Sequence, residues 1–111
     1  MPLLRPGVGR VTNVSRREDV EAALRHLAPR LPRHEFGAVL DHAMASRGLR
    51  TAAPESAAWL SLVAYTRHTY TDYDELLSQG YEPDSARFFV AAEIETALAA
   101  WGVRRRLEAQ D

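Results

Sequence analysis

Between Tyr65 and Leu77 the chain reads Y-T-R-H-T-Y-T-D-Y-D-E-L-L, which sets Arg67, His68, Tyr73 and Asp74 close together in sequence. These residue types can do chemistry as a group. A histidine beside a carboxylate is a general base with an orienting partner, and an arginine beside them is a clamp for phosphate. In that scheme His68 takes the proton, Asp74 orients it or ligates a metal, and Arg67 or Arg50 holds the anion. His42 adds a second imidazole to a metal site. His68 and Asp74 are thus the candidate catalytic residues of a hydrolase or nuclease.

The same stretch has a structural reading, a joint between two helices. One helix ends near Tyr70, and a short one starts at Thr71 or Asp72 and runs to Gln79. Thr71 with Asp74 fits a capping box, and Asp72 with Glu75 offers a second register. Gly80 then serves as the glycine just past the helix end. Polar residues packed at a joint ordinarily hold that joint, and this reading leads. The wider sequence carries no H-E-x-x-H, no G-x-S-x-G and no Walker loop. With no cysteine there is no thiolate nucleophile, no cysteine zinc site and no disulfide framework. No metal and no cofactor is expected.

The elements that must position these residues follow from hydrophobic period. Ser15 with Glu18 reads as a capping box opening a helix of about Arg16–Ala28, with Val20, Ala23, Leu24 and Leu27 on one stripe. A second helix of about Arg33–Ser46 carries Phe36, Val39, Leu40, Ala43 and Met44. His42 lies off that stripe, placed to meet a neighbouring helix or solvent. Arg47, Gly48 and Arg50 then form a turn that could bind an anion.

Pro54 suits the first turn of a third helix, about Pro54–Tyr70. Trp59, Leu62, Val63, Thr66 and Tyr70 line one side; Ala57, Ser61, Ala64 and His68 line nearly the opposite side. Two buried sides make this the central helix, with His68 expected at a helix–helix contact. A closing helix, about Asp84–Trp101, buries Ala86, Val90, Ile94, Ala97 and Trp101, with Phe89 and Leu98 at the edges of that stripe. Glu93 on its flank reads first as a solvated rim carboxylate, with pairing to Arg67 or a histidine as the alternative. Phe88, Ala91, Ala92 and Ala99 form a second, weakly apolar face that could serve a homo-oligomer. Gly102 ends this helix. No segment sustains strand alternation, so the fold class is all-α: one small domain of about five helices. Residues 1–14 read as a flexible arm, 15–103 as the helical domain and 104–111 as an arginine-rich tail.

Every one of the 14 basic residues is arginine, a planar fork suited to carboxylate and phosphate. The net charge of -1 conceals an asymmetry, because residues 1–50 hold nine arginines against five acids, and residues 51–111 hold five against ten. The basic half suggests a polyanionic partner. No apolar run approaches the ~20 residues that span a bilayer, and the start lacks a secretory pattern. The expectation is a cytoplasmic protein with no membrane partner.

The block T-R-H-T-Y-T-D-Y-D-E-L-L resembles the R-H-x-x-T-x-Y-D-x-L-L signature of the domain of unknown function family 2293, known from bacterial and fungal proteins. His42-Ala43, the turn Ser46–Thr51, Ala86-Arg87 and Trp101 fit the same pattern. The turn is shorter in glycine than the family's, and Tyr65 stands where the family tends to carry a histidine. The resemblance implies a helical domain and points to His42, Arg50, Arg67, His68, Thr71, Tyr73 and Asp74; it implies no activity. The function expected is a small helical binding module that contacts nucleic acid or another polyanion through His42, Arg47, Arg50, Arg67, His68, Tyr73 and Asp74. The alternatives are a metal-dependent hydrolase or nuclease and a protein–protein adaptor.

Overall fold

A computed structural model describes residues 13–108 and 111, with side chains from Arg16 onward. The arm expected over 1–14 lies outside the described residues except for its last two. Among the described residues the chain forms α1 (Asn13–Leu27), α2 (Arg33–Ala45), α3 (Pro54–Tyr70), α4 (Tyr73–Ser78) and α5 (Pro83–Ala100), with one 3₁₀ turn at Arg47–Leu49 between α2 and α3. The all-α expectation holds. The first helix already includes Asn13 and Val14, so Ser15 lies inside it and not at its cap; that is a correction to the capping box.

The third helix is central, as its two-sided pattern requires, and packs against α1, α2, α4 and α5. Trp59, Leu62 and Val63 are buried from one side, Ala57 and Ser61 from the other. Around them close Val20 and Leu24 of α1, Val39 and Leu40 of α2, and Val90, Ile94 and Leu98 of α5. Burying each large aliphatic side chain contributes ~1.5–3 kcal/mol, so this set dominates the fold's stability. The small residues on the second face matter for a different reason: they let the neighbouring helices approach α3 closely.

Helix ends are handled by glycine where the chain must reverse. Gly80 and Gly102 have φ of 100° and 86°, the left-handed region that a Cβ disfavours. After α4, Gly80 N–H donates to Leu77 O and Tyr81 N–H to Leu76 O; after α5, Gly102 N–H donates to Ala99 O and Val103 N–H to Leu98 O. Both are Schellman closures that satisfy orphan carbonyls. The second is reinforced by Arg30, whose backbone N–H reaches Trp101 O at 2.9 Å. The Arg30 guanidinium meets the carbonyls of Ala99 and Ala100.

The loop before α3 is held in another way. Arg16 of α1 donates to Ala52 O at 2.6 Å and Leu49 O at 2.8 Å, so one guanidinium fixes the connector that sets where α3 begins. Phe89 departs from expectation. Its period puts it at the edge of the core stripe, yet it is 58% exposed beside Phe88 at 78%. Val90 and Ile94 fill the buried face, and the loop at Tyr81 draws the Phe89 ring outward into an edge contact at 5.6 Å.

Candidate functional site

The α3–α4 joint brings Arg67, His68, Tyr73 and Asp74 together. Tyr73 is buried at the start of α4, with the Arg67 guanidinium 5.3 Å from its ring centroid and the His68 ring edge-on at 5.6 Å. His68 Nδ1 and Asp74 Oδ1 are 2.7 Å apart. Thr71 fixes the bend: its hydroxyl donates to Arg67 O and accepts from Tyr73 N–H. Asp74 therefore reaches back to α3 and does not close a box with Thr71. Neither Thr71 nor Asp72 forms the expected reciprocal capping box, and Thr71 instead serves the first amide of α4.

His68 corrects a second expectation. It is half-exposed at the joint and faces α4, and it is not inserted into a packed helix–helix contact. A carboxylate on Nδ1 leaves Nε2 as the nitrogen that could exchange a proton with a ligand, the arrangement a general base uses. Among the described residues no three histidine, aspartate or glutamate side chains converge as a metal site.

Arg67 is the more buried cation. Burial lowers its pKa, Tyr73 opposes that, and the like charge of Arg87 adds to it. Its Nη2 donates to Asp111 O at 2.6 Å, while its Nε is buried with no acceptor among the described residues. Glu93 is exposed on α5, as a solvated rim carboxylate is, and the alternative pairing with Arg67 does not form: the bond from Arg67 goes to Asp111.

His42, Arg47 and Arg50 lie elsewhere. His42 Nδ1 meets Ser61 Oγ of α3 at 3.1 Å, a polar tie between two helices. Arg47 and Arg50 are exposed on the 3₁₀ turn. The amides of Leu49 and Arg50 already donate to Ser46 O and Arg47 O, so anion contact there rests on the side chains. From Pro54 to Arg67, α3 rises about 20 Å. The turn and the joint thus sit at opposite ends of α3 and cannot share one small ligand.

The structure adds two features to these. Glu35 is 6% exposed in α2 and accepts from the Tyr70 hydroxyl at the end of α3, which pushes the Tyr70 pKa up to about 12. Tyr70 also packs edge-on against Trp101 at 5.4 Å. Glu35 falls on the edge of the α2 stripe, beside Phe36 and four residues before Val39, and that position is its available signal.

The other is a hollow of about 590 Å³ between the end of α1 and the tail, lined by Arg25, His26, Leu27, Pro29, Gly102, Arg104 and Arg105. No carboxylate among the described residues lines it. Arg25 is tied to Glu21 at 3.1 Å and stacks on Phe36, and Arg105 lies 4.3 Å over the Trp59 ring. The arginine run of the tail is its sequence signal; the approach of α1 to that run is set by the tertiary fold.

The sequence model of a family described as "Uncharacterized conserved protein (DUF2293)" matches residues 23–102 of the chain. The chain belongs to this family. No curated protein and no solved structure matches it.

Proposed function

We propose that this DUF2293 member is a non-catalytic binding module for a polyanion, with nucleic acid as the leading partner. The observation that supports this reading is the basic hollow of Arg25, His26, Arg104 and Arg105, which no described carboxylate lines. A local cluster of this kind attracts phosphate even on a chain of net charge -1. Arg104 has no side-chain partner among the described residues, and a free guanidinium can take a phosphate bidentately. Arg33, Arg47 and Arg50 are likewise exposed and without side-chain partners among the described residues, and they extend the basic character beyond the hollow.

Anisotropy of labelled single- and double-stranded DNA and RNA across a salt series tests the reading. Three arginine contacts give a log–log salt slope of about -2 to -3. Absence of binding to every probe at low salt overturns it.

A protein partner is the second reading. It is favoured by Tyr81, Phe88 and Phe89, which are 45%, 78% and 58% exposed and lie in a chain of edge-to-face contacts. An aromatic patch rimmed by charge is the usual anchor of a protein interface. Light scattering of the wild type against Phe88→Glu reads out self-association at this patch.

A further inference from the structure

We propose a separate oxyanion site between α3 and α5, formed by Arg67 and Arg87, which takes a single phosphate or carboxylate group carried on a small ligand. The two guanidinium groups line one hollow of about 140 Å³ together with Leu60, Val63 and Asp111. They also line the larger groove that continues past Phe88, Ala91 and Leu107, where Asp84, Glu95, Glu108 and Asp111 supply carboxylates. Two like charges against apolar walls disfavour each other, and Arg67 is held below the usual arginine range by burial, with Arg87 contributing. Asp111, in the same hollow, offsets part of the cost at Arg67, and an anion that takes its place between the two guanidinium groups relieves the rest.

The donors for it are present. Arginine carries five N–H groups. Arg67 uses Nη2 for Asp111 O, and its buried Nε finds no acceptor among the described residues. Arg87 uses Nη2 for Asp84, at the outer end of the groove. A buried donor without an acceptor is unfavourable, and a charged acceptor makes the stronger bond in a low-dielectric pocket. The hollow suits one oxyanion group, and the groove beyond it, part apolar and part acidic, accommodates a ligand body that carries no second negative charge. Asp111 O, the acceptor now on Arg67, marks where a ligand oxygen would sit and competes with it.

This site is distinct from the basic hollow at Arg104 and Arg105, so the two readings fail separately. The test is titration of the protein with inorganic phosphate, and in a parallel arm with acetate, followed by NMR at the arginine Nε–H resonances. Saturable movement of the Arg67 and Arg87 signals is expected, with Arg17, paired to Asp41 on the surface, as the exposed reference. Arg87→Gln is expected to weaken phosphate binding about tenfold, the loss of one charge-assisted contact. It leaves Arg67 in place, so the fold survives even if Arg67→Gln does not fold.

Arg106→Ala loosens the tail that carries Asp111, because Arg106 is clamped on Glu95. It is expected to strengthen phosphate binding although it removes a positive charge, a sign that simple charge counting does not give. A response in the acetate arm extends the site to carboxylates; phosphate alone restricts it to tetrahedral anions. Uniform drift of all arginine signals, or unchanged affinity in Arg87→Gln, overturns the proposal.

Discussion

The Tyr70 hydroxyl donates to the Glu35 carboxylate across the α2–α3 interface, and that bond ties the end of the central helix to a buried acid. Glu35 Oε1 has no partner among the described residues, so Tyr70 is the one hydrogen-bond donor to this carboxylate there. His34 Nε2 lies 3.8 Å from Oε2 and adds an ion pair only when protonated. Replacing Tyr70 with phenylalanine keeps the ring against Trp101 and removes the donor. The expected loss is ~1–3 kcal/mol, the cost of leaving a buried acceptor unmet, measured by urea denaturation.

The same bond gives an alkaline signature. The Tyr70 pKa is raised from 10.0 to about 12, with the Glu35 hydrogen bond as the first cause and burial as the second. A folded-state value above the unfolded one means the stabilisation is complete below pH 10 and is lost as pH rises toward 12. The melting temperature of the wild type should fall more steeply over that window than that of Tyr70→Phe. Parallel curves would mean the hydroxyl does not carry the bond.

Gly102→Ala should destabilise through two independent effects. Its φ of 86° costs ~1–2 kcal/mol for any residue with a Cβ. The added carbon would also stand 3.0 Å from Pro29 Cγ and 3.2 Å from its Cδ, and a proline ring has little room to yield. Gly80→Ala isolates the first effect, because a Cβ added there, at φ 100°, would meet nothing within 4 Å. Thermal unfolding of the two variants should rank Gly102→Ala as the more damaging.

What was legible in the sequence follows the strength of each signal. Helix positions rest on apolar period and on Pro54, Gly80 and Gly102, all local, and these hold to within a few residues. The joint block is also local, so Arg67, His68, Tyr73 and Asp74 do meet. Partner choice is not local. Asp74 turns to His68 and not to Thr71 because the bend at Thr71 brings α4 back along α3. Glu35 reads as an ordinary charged helix residue until the end of α3 closes over it. Phe89 and Leu98 both sit at the edge of the α5 stripe by period, and only the tertiary fold buries Leu98 and leaves Phe89 exposed beside Tyr81.

The tail has an acid-sensitive dock. Arg106 donates to Glu95 Oε1 at 3.2 and 3.0 Å through Nε and Nη2, and Leu107 N–H reaches Oε2 at 3.0 Å. The Arg106 bond first, and the Leu107 amide second, hold the Glu95 carboxyl below its ordinary value. A depressed carboxyl contributes stability that is present above the ordinary 4.5 and lost as pH falls through the folded-state value. Arg105, two residues before Leu107, covers Trp59 and makes indole fluorescence the reporter. Its emission should change as the pH falls below that range in the wild type, and Glu95→Gln should show the released signal at neutral pH.

The His68–Asp74 pair separates joint from site. Its side chains are 51% and 63% exposed, and an ion pair so exposed contributes ~0–1 kcal/mol. Asp74→Asn keeps an acceptor for Nδ1 and should shift stability by less than about 1 kcal/mol. His68→Ala also removes the edge contact with Tyr73, yet Thr71 still fixes the bend, so α4 should stay docked. With the fold kept, loss of ligand binding or of any hydrolytic turnover in Asp74→Asn assigns the pair a working role. Unfolding by more than about 2 kcal/mol in this variant would instead make it a clasp between α3 and α4, because an exposed pair alone does not reach that value.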